Sequence, residues 1–151
     1  MFVKDVMVTS VRTVKRDDSI RSVAATICTN KISGLPVVDD DNRLLGLISE
    51  KDILAALLPS YADFLEDPVR ARDFSAMEDS YREVLARSVG SLMKKRVFTV
   101  SPDELVMQAA SKMALHNFRR IPVVENDRLV GIVSLGDIHK AIFKRELSKV
   151  D

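Results

Sequence analysis

The sequence predicts an α+β protein: two β-α-β-β-α repeats packed sheet to sheet as a pseudo-two-fold pair, with a helical insert between them. Three observations carry this. Residues 3–38 align with 89–124 at a constant offset, and 43–53 align with 128–138 after a one-residue gap in a loop; 16 of 47 paired positions are identical. Within each copy the apolar spacing changes from helical to extended in the same order. Residues 59–88 match neither copy. The expected division is therefore repeat 1 over 1–58, an insert over 59–88, and repeat 2 over 89–151. One such sheet buries too little surface by itself, so two copies are expected to share a core.

Each element has a local reason. Val11, Thr13 and Val14, with Val97, Thr99 and Val100 in the second copy, form a short β-prone segment. A helix follows. In copy two, Ser101-Pro102-Asp103-Glu104 reads as a capping box with Pro at the first helical position. Copy one has Lys15-Arg16-Asp17-Asp18, which still sets acids near the positive helix end. The apolar stripes are Ile20, Val23, Ala24, Ile27, Cys28 and Val106, Ala109, Ala110, Met113, Ala114. Their small members suggest close packing on a sheet. A hairpin comes next, 35–38 with 44–48 and 121–124 with 129–133, each joined by an acidic turn. A second helix is expected from Ser49 and from Ser134. In the insert, Ser75-Ala76-Met77-Glu78 reads as a capping box, and Met77, Tyr81, Val84 and Leu85 make a helical stripe over about 76–88. This segment is expected to be one or two connecting helices. The other reading makes it a docking or dimer-extending element that also uses Tyr61, Phe64 and Leu65.

Composition narrows the function. Lys and Arg number 23 against 22 Asp and Glu, a net charge of +1, so no basic face is available to neutralise nucleic-acid phosphates. No run of apolar residues suits a membrane span, and Lys4 and Asp5 interrupt any signal-peptide pattern. A cytoplasmic chain with neither nucleic-acid nor membrane partner is expected. Cys28 is the only cysteine, and it is expected to be buried on the first helix. His116 and His139 lack metal-ligand spacing, so no metal site is expected. No nucleophile with a base, P-loop or G-x-G-x-x-G is present, so the chain does not read as an enzyme.

Two repeated constellations could carry chemistry. Ser49-Glu50-Lys51-Asp52 and Ser134-Leu135-Gly136-Asp137 sit where strand becomes helix. As a capping box the pattern needs no ligand. The same geometry offers amide groups and a hydroxyl to an anion, and a carboxylate to a ribose diol. Both readings stand, since a cap and a nucleotide grip are compatible. The second constellation enters the first hairpin strand: Ile32-Ser33-Gly34-Leu35-Pro36 and Phe118-Arg119-Arg120-Ile121-Pro122. Arg119 and Arg120 would point to opposite sides of an extended chain, so one can face a cleft and grip phosphate. Taken alone, two solvated or salt-bridged arginines explain them as well.

The ordered set resembles a tandem pair of cystathionine-β-synthase (CBS) domains. The pattern is a β segment ending in Thr, an amphipathic helix, h-P-V-V, an acidic turn, and G-h-h-[ST]-x-x-D-h, where h is apolar. It occurs as Leu35-Pro36-Val37-Val38 with Gly46 to Ile53, and as Ile121-Pro122-Val123-Val124 with Gly131 to Ile138. The resemblance implies a stand-alone regulatory module that binds an adenosine-containing ligand between the repeats and signals to an effector protein. AMP, ADP, ATP or another adenosyl compound would serve as regulatory ligand, with no cofactor required. Such modules are often head-to-head or head-to-tail dimers, so a homodimer is expected, and the resemblance does not imply catalysis. Carried over by position, the main cleft would use Ser134 and Asp137 for phosphate and ribose. Thr13, Ile32, Ser33 and Leu35 would frame adenine, and Arg119 or Arg120 would reach phosphate. The second cleft would use Ser49 and Asp52 with Thr99, Arg119, Arg120, Ile121 and Lys31. Copy one has Ser33-Gly34 where the family often has basic residues. The rival reading is a protein-interaction or dimerisation module without a nucleotide.

Overall fold

A computed structural model describes residues 1–149. Short aliphatic runs around Pro36 and Pro122, each followed by a polar turn, give two hairpins. Strand β1 (Gly34–Val38) pairs with β2 (Leu44–Ser49), and β3 (Arg120–Glu125) pairs antiparallel with β4 (Arg128–Ser134). Glu125 faces Arg128 across a two-residue turn in which Asn126 and Asp127 both have positive φ. Asn and Asp tolerate that conformation, which matches the twist of the strands. The structure is thus a mixed α+β fold with two small sheets, as the sequence predicts.

The β-prone segments ahead of the first helices each add one parallel bridge. The Val14 amide donates to the Pro36 carbonyl at 3.0 Å, and the Val38 amide donates back to Val14 at 3.0 Å. Val100 does the same with Pro122 and Val124, at 3.1 and 2.9 Å. Proline is accommodated there because each contributes its carbonyl to the bridge.

The packed units do not follow the sequence repeats. One unit holds Thr13–Asp40 and Leu45–Arg96. The other holds Met1–Arg12, Asp41–Leu44 and the described residues from Val97 onward. The leading segment of each repeat therefore packs on the body of the other repeat. Helix α1 (Val3–Val6) places Val3 in a core with Val106, Met113, Ile121, Val133 and Ile138. In the other unit, Val84, Val89 and Met93 complete a core of Val14, Ile20, Val23, Leu35, Val37, Ile48 and Ile53.

These leading segments explain where the first helices begin. Helix α2 (Ile20–Asn30) starts after Ser19, which caps it by accepting from the Ser22 amide. The capping box expected at Ser101 does not open a helix either. Ser101 and Glu104 form a turn, the Ser101 amide donating to Glu104 Oε1 at 3.4 Å. The carbonyls of Pro102 and Glu104 already accept from Lys4 and Val3, both at 2.9 Å. In the other unit those of Arg16 and Asp18 accept from Gly90 at 2.9 Å and Val89 at 2.8 Å. With those carbonyls engaged by a distant segment, and with the Ile20 and Val106 amides donating to the Arg87 and Met1 carbonyls, the helices begin only at Ile20 and Val106.

The buried stripes are narrower than expected. Ile20, Val23 and Ile27 are buried, but Cys28 is exposed, a correction to its expected burial. It follows Ile27 by one residue, about 100° around the helix from the core. Ala110 is buried and Ala114 exposed. Both first helices end on a left-handed residue, Lys31 (φ 52°) after α2 and Asn117 (φ 59°) two residues past Leu115. Helix α3 (Glu50–Ala55) follows β2 with Ser49 as its cap.

The insert holds α4 (Tyr61–Glu66), a 3-10 turn at Arg70–Arg72, α5 (Phe74–Asp79) and α6 (Tyr81–Leu85). The cap of α5 is Asp73, which accepts from the Ala76 amide at 3.1 Å; Ser75, the expected cap, lies inside the helix. The expected stripe is broken at Ser80, and Val84 is its one fully buried member. Helix α7 (Val89–Leu92) opens the second leading segment, α8 is Val106–Leu115, and α9 (Leu135–Leu147) follows β4. Among the described residues no helix is long and apolar enough to cross a membrane, and no cluster of three metal-ligating side chains forms.

Candidate functional site

The Ser/Asp pairs stand where β2 and β4 end, because extended Ser49 and Ser134 present their hydroxyls to the first helical turn. The two pairs differ in their bonding. In the first, Ser49 Oγ accepts from the Asp52 amide at 3.4 Å. Asp52 Oδ2 accepts from both the Ser49 amide and the Ser49 hydroxyl, each at 2.9 Å. The other carboxylate oxygen lies 3.7 Å from Lys94 Nζ, and the Asp52 side chain is only 8% exposed. This is a closed capping box with a cation against it.

In the second pair, Ser134 Oγ accepts from the Asp137 amide at 3.0 Å. The return bond is missing. Among the described residues the Asp137 carboxylate has no hydrogen-bond or ion-pair partner. A half-buried carboxylate held beside a capped helix start, with all its lone pairs available, can accept from a diol or a cationic group.

The segments entering β1 and β3 meet these pairs within each unit. The Glu50 amide donates to the Ser33 carbonyl at 2.9 Å, and the Leu135 amide donates to the Arg119 carbonyl at 3.0 Å. Ser33 is thereby placed beside Ser49 and Asp52, and Arg119 beside Ser134 and Asp137. Arg120 faces Ser134 across the β3–β4 ladder. Both arginines are exposed, and the Arg119 guanidinium has no hydrogen-bond or ion-pair partner among the described residues.

The remaining candidates sort by burial. Thr13 and Lys31 are exposed, and Lys31 is the left-handed cap of α2. Ile32 is half-buried and packs on the first unit's core. Leu35 and Ile121 are 2% and 1% exposed, so they can offer main chain but not side chain. Half-buried Thr99 accepts a bond from Lys112 Nζ on its carbonyl at 3.0 Å. Thr13, Lys31, Ile32, Ser33, Leu35, Ser49 and Asp52 belong to one unit, and Thr99, Arg119, Arg120, Ile121, Ser134 and Asp137 to the other. A cavity of about 500 Å³ against the insert, lined in part by Leu57, Arg70, Met77, Val84 and Arg87, includes none of these residues.

Two features escaped the sequence reading. Lys94 was legible only by asking what stands opposite Val8 in the repeat alignment. The stack of Phe98 on His116, ring centroids 4.0 Å apart, with Phe118 5.6 Å from Phe98, joins residues next to Thr99 and Arg119. Their spacing in sequence shows no pattern that would announce it.

Comparison with known proteins sets this geometry in a family. The CBS domain model matches twice, over residues 3–59 and 89–144. The protein MJ1426 of Methanocaldococcus jannaschii is 33% identical over 154 aligned residues, which cover 94% of this chain and 91% of that one. The crystal structure of CBSX2 in complex with AMP superposes with a TM-score of 0.73 at 28% identity, covering 96% and 98% of the two chains. That of the CBS domain pair of MJ0100 with 5′-methylthioadenosine and S-adenosylmethionine gives 0.70 at 27%, with the same coverage. In other relatives the matching stretch is part of a longer protein, for instance 24% of a homoserine O-acetyltransferase from Methanohalobium evestigatum. A family model matched by both repeats, with a relative aligned almost end to end, shows that the chain belongs to the CBS domain family.

Proposed function

We propose that this chain is a regulatory module that binds an adenosine-containing ligand and carries no catalytic activity. The observation that carries the reading is the unengaged Asp137 carboxylate, held beside Ser134 and the Arg119 main chain. On this reading Asp137 accepts the ribose hydroxyls, Ser134 binds phosphate, and Arg119 or Arg120 adds a cationic donor. Thr13, Ile32, Ser33 and Leu35 frame the adenine. Ser49 and Asp52, with Lys31, Thr99 and the Arg119 to Ile121 segment, form a second, related cleft. The complexes of CBSX2 with AMP and of MJ0100 with adenosyl compounds support the ligand class. The module acts as a cytoplasmic homodimer that passes ligand occupancy to a separate effector protein.

Calorimetric titration with AMP, ATP, adenosine and S-adenosylmethionine tests this. At least one binds below millimolar concentration, and Asp137→Ala weakens it by roughly 1.5–3 kcal/mol, the range for hydrogen bonds to a charged group. If none binds at millimolar concentration, the module is a protein-interaction element. The exposed apolar residues of the insert favour that second reading: Tyr61, Leu65, Val69 and Phe74 are 80%, 68%, 83% and 65% exposed.

A further inference from the structure

The leading segments set two different side chains at one equivalent place. Lys94 exchanges main-chain hydrogen bonds with Leu47, at 2.8 and 2.9 Å. Val8 exchanges the same two bonds with Ile132, again at 2.8 and 2.9 Å. Leu47 and Ile132 are counterparts in the repeat, each two residues before the capping serine. Glycine precedes both, and the close approach of the leading segment requires it. A Cβ on Gly46 would overlap the Lys94 carbonyl, and one on Gly131 would lie 2.9 Å from the Val8 carbonyl. Lys94 and Val8 are therefore structural counterparts on fixed backbone. One presents an ammonium beside its Ser/Asp pair, the other an isopropyl group.

A count of lone pairs gives this difference its consequence. A carboxylate has about four acceptor positions. On Asp52 two are taken by the Ser49 amide and hydroxyl, and a third faces Lys94 Nζ at 3.7 Å. A ribose diol needs both of the positions that remain, and the ammonium competes for one of them. On Asp137 none is taken among the described residues. We infer that Lys94 decides which Ser/Asp pair accepts a ribose: it withholds Asp52, while Val8 leaves Asp137 open. Each chain then takes one adenosine ligand, at Ser134 and Asp137. The inference rests on the proposed function and adds to it the residue that makes the two repeats unequal.

The test is stoichiometry. Adenosine, which carries no phosphate to draw the ammonium away, is titrated calorimetrically into wild type, Lys94→Val and Val8→Lys. Both positions are exposed, 64% for the Lys94 side chain and 49% for Val8, so neither exchange opens a core. Circular dichroism and melting temperature confirm that the variants fold. Wild type is expected to bind one ligand per chain and Lys94→Val a second. That second site should survive Asp137→Ala in the Lys94→Val background. Val8→Lys sets an ammonium against at most one of about four positions on Asp137 and leaves enough for a diol, so it should still bind one ligand per chain. Two sites in wild type, or one in Lys94→Val, overturns the inference and leaves the proposed function standing. No adenosine binding by any variant overturns the inference, and the proposed function falls with it only if AMP, ATP and S-adenosylmethionine also fail to bind.

Discussion

At the scale of single residues, Asp52 and Asp137 share one motif and differ in what they hold. Asp52 holds its own helix start by two 2.9 Å bonds, whereas among the described residues Asp137 spends no carboxylate bond on the fold. Asp52→Ala is therefore expected to lower unfolding stability by about 0.5–2 kcal/mol, as for other lost caps. Asp137→Ala should change it by less than about 0.5 kcal/mol. Urea denaturation of the two variants measures both, and equal losses would show that Asp137 is also a cap. The motif S-x-x-D was legible in the sequence, but its two uses were not. The return bonds from Ser49 to Asp52 and the ammonium of Lys94 beside it set the first pair apart, and Lys94 lies some forty residues along the chain, where no local pattern reports it. Cys28 shows the same limit in a smaller way, because helical spacing marks a stripe but not its edge.

At the scale of elements, both hairpins lie within a residue of their expected bounds, and both second helices begin where expected, after Ser49 and Ser134. Their determinants are local: aliphatic runs, turn residues that accept positive φ, and a serine at the strand end. The first helices were misplaced because their starts are set by long-range main-chain bonds from Val3, Lys4, Val89 and Gly90. The fit of those segments depends on close approach at the hairpins. Gly46→Ala would push its Cβ into the Lys94 carbonyl, and backbone cannot rotate aside as a side chain can. A loss of about 1–3 kcal/mol is expected, the usual cost of overpacking. Chemical denaturation would show it, and an unchanged midpoint would mean that the leading segment can slide along β2.

At the scale of the molecule, the repeat was readable but the partition of the core was not. Sequence similarity groups residues by ancestry, and packing groups them by contact. Val3 sits in the core around Ile121 and Ile138, while Val84, Val89 and Met93 sit in the core around Val37 and Ile48. Each half of the chain therefore lacks part of its own core. Fragments 1–68 and 69–151, expressed separately, should remain largely unfolded and regain ordered structure when mixed. Circular dichroism and amide exchange can follow this. Cooperative folding by either fragment alone would show that the leading segments are accessory to the cores.

The exchange of leading segments also bears on how such a chain could arise. A single repeat on its own would carry a leading segment with no core to enter and a core with no leading segment to complete it. Two identical chains could satisfy both needs by trading their first dozen residues. A gene encoding one repeat would then specify an obligate swapped dimer. Fusion of two copies turns that trade into an intramolecular one, and afterwards each position is free to diverge from its twin. Lys94 and Val8 occupy twin positions in this sense: once the copies share a chain, one copy can leave its carboxylate unengaged while the other commits it to its own helix start.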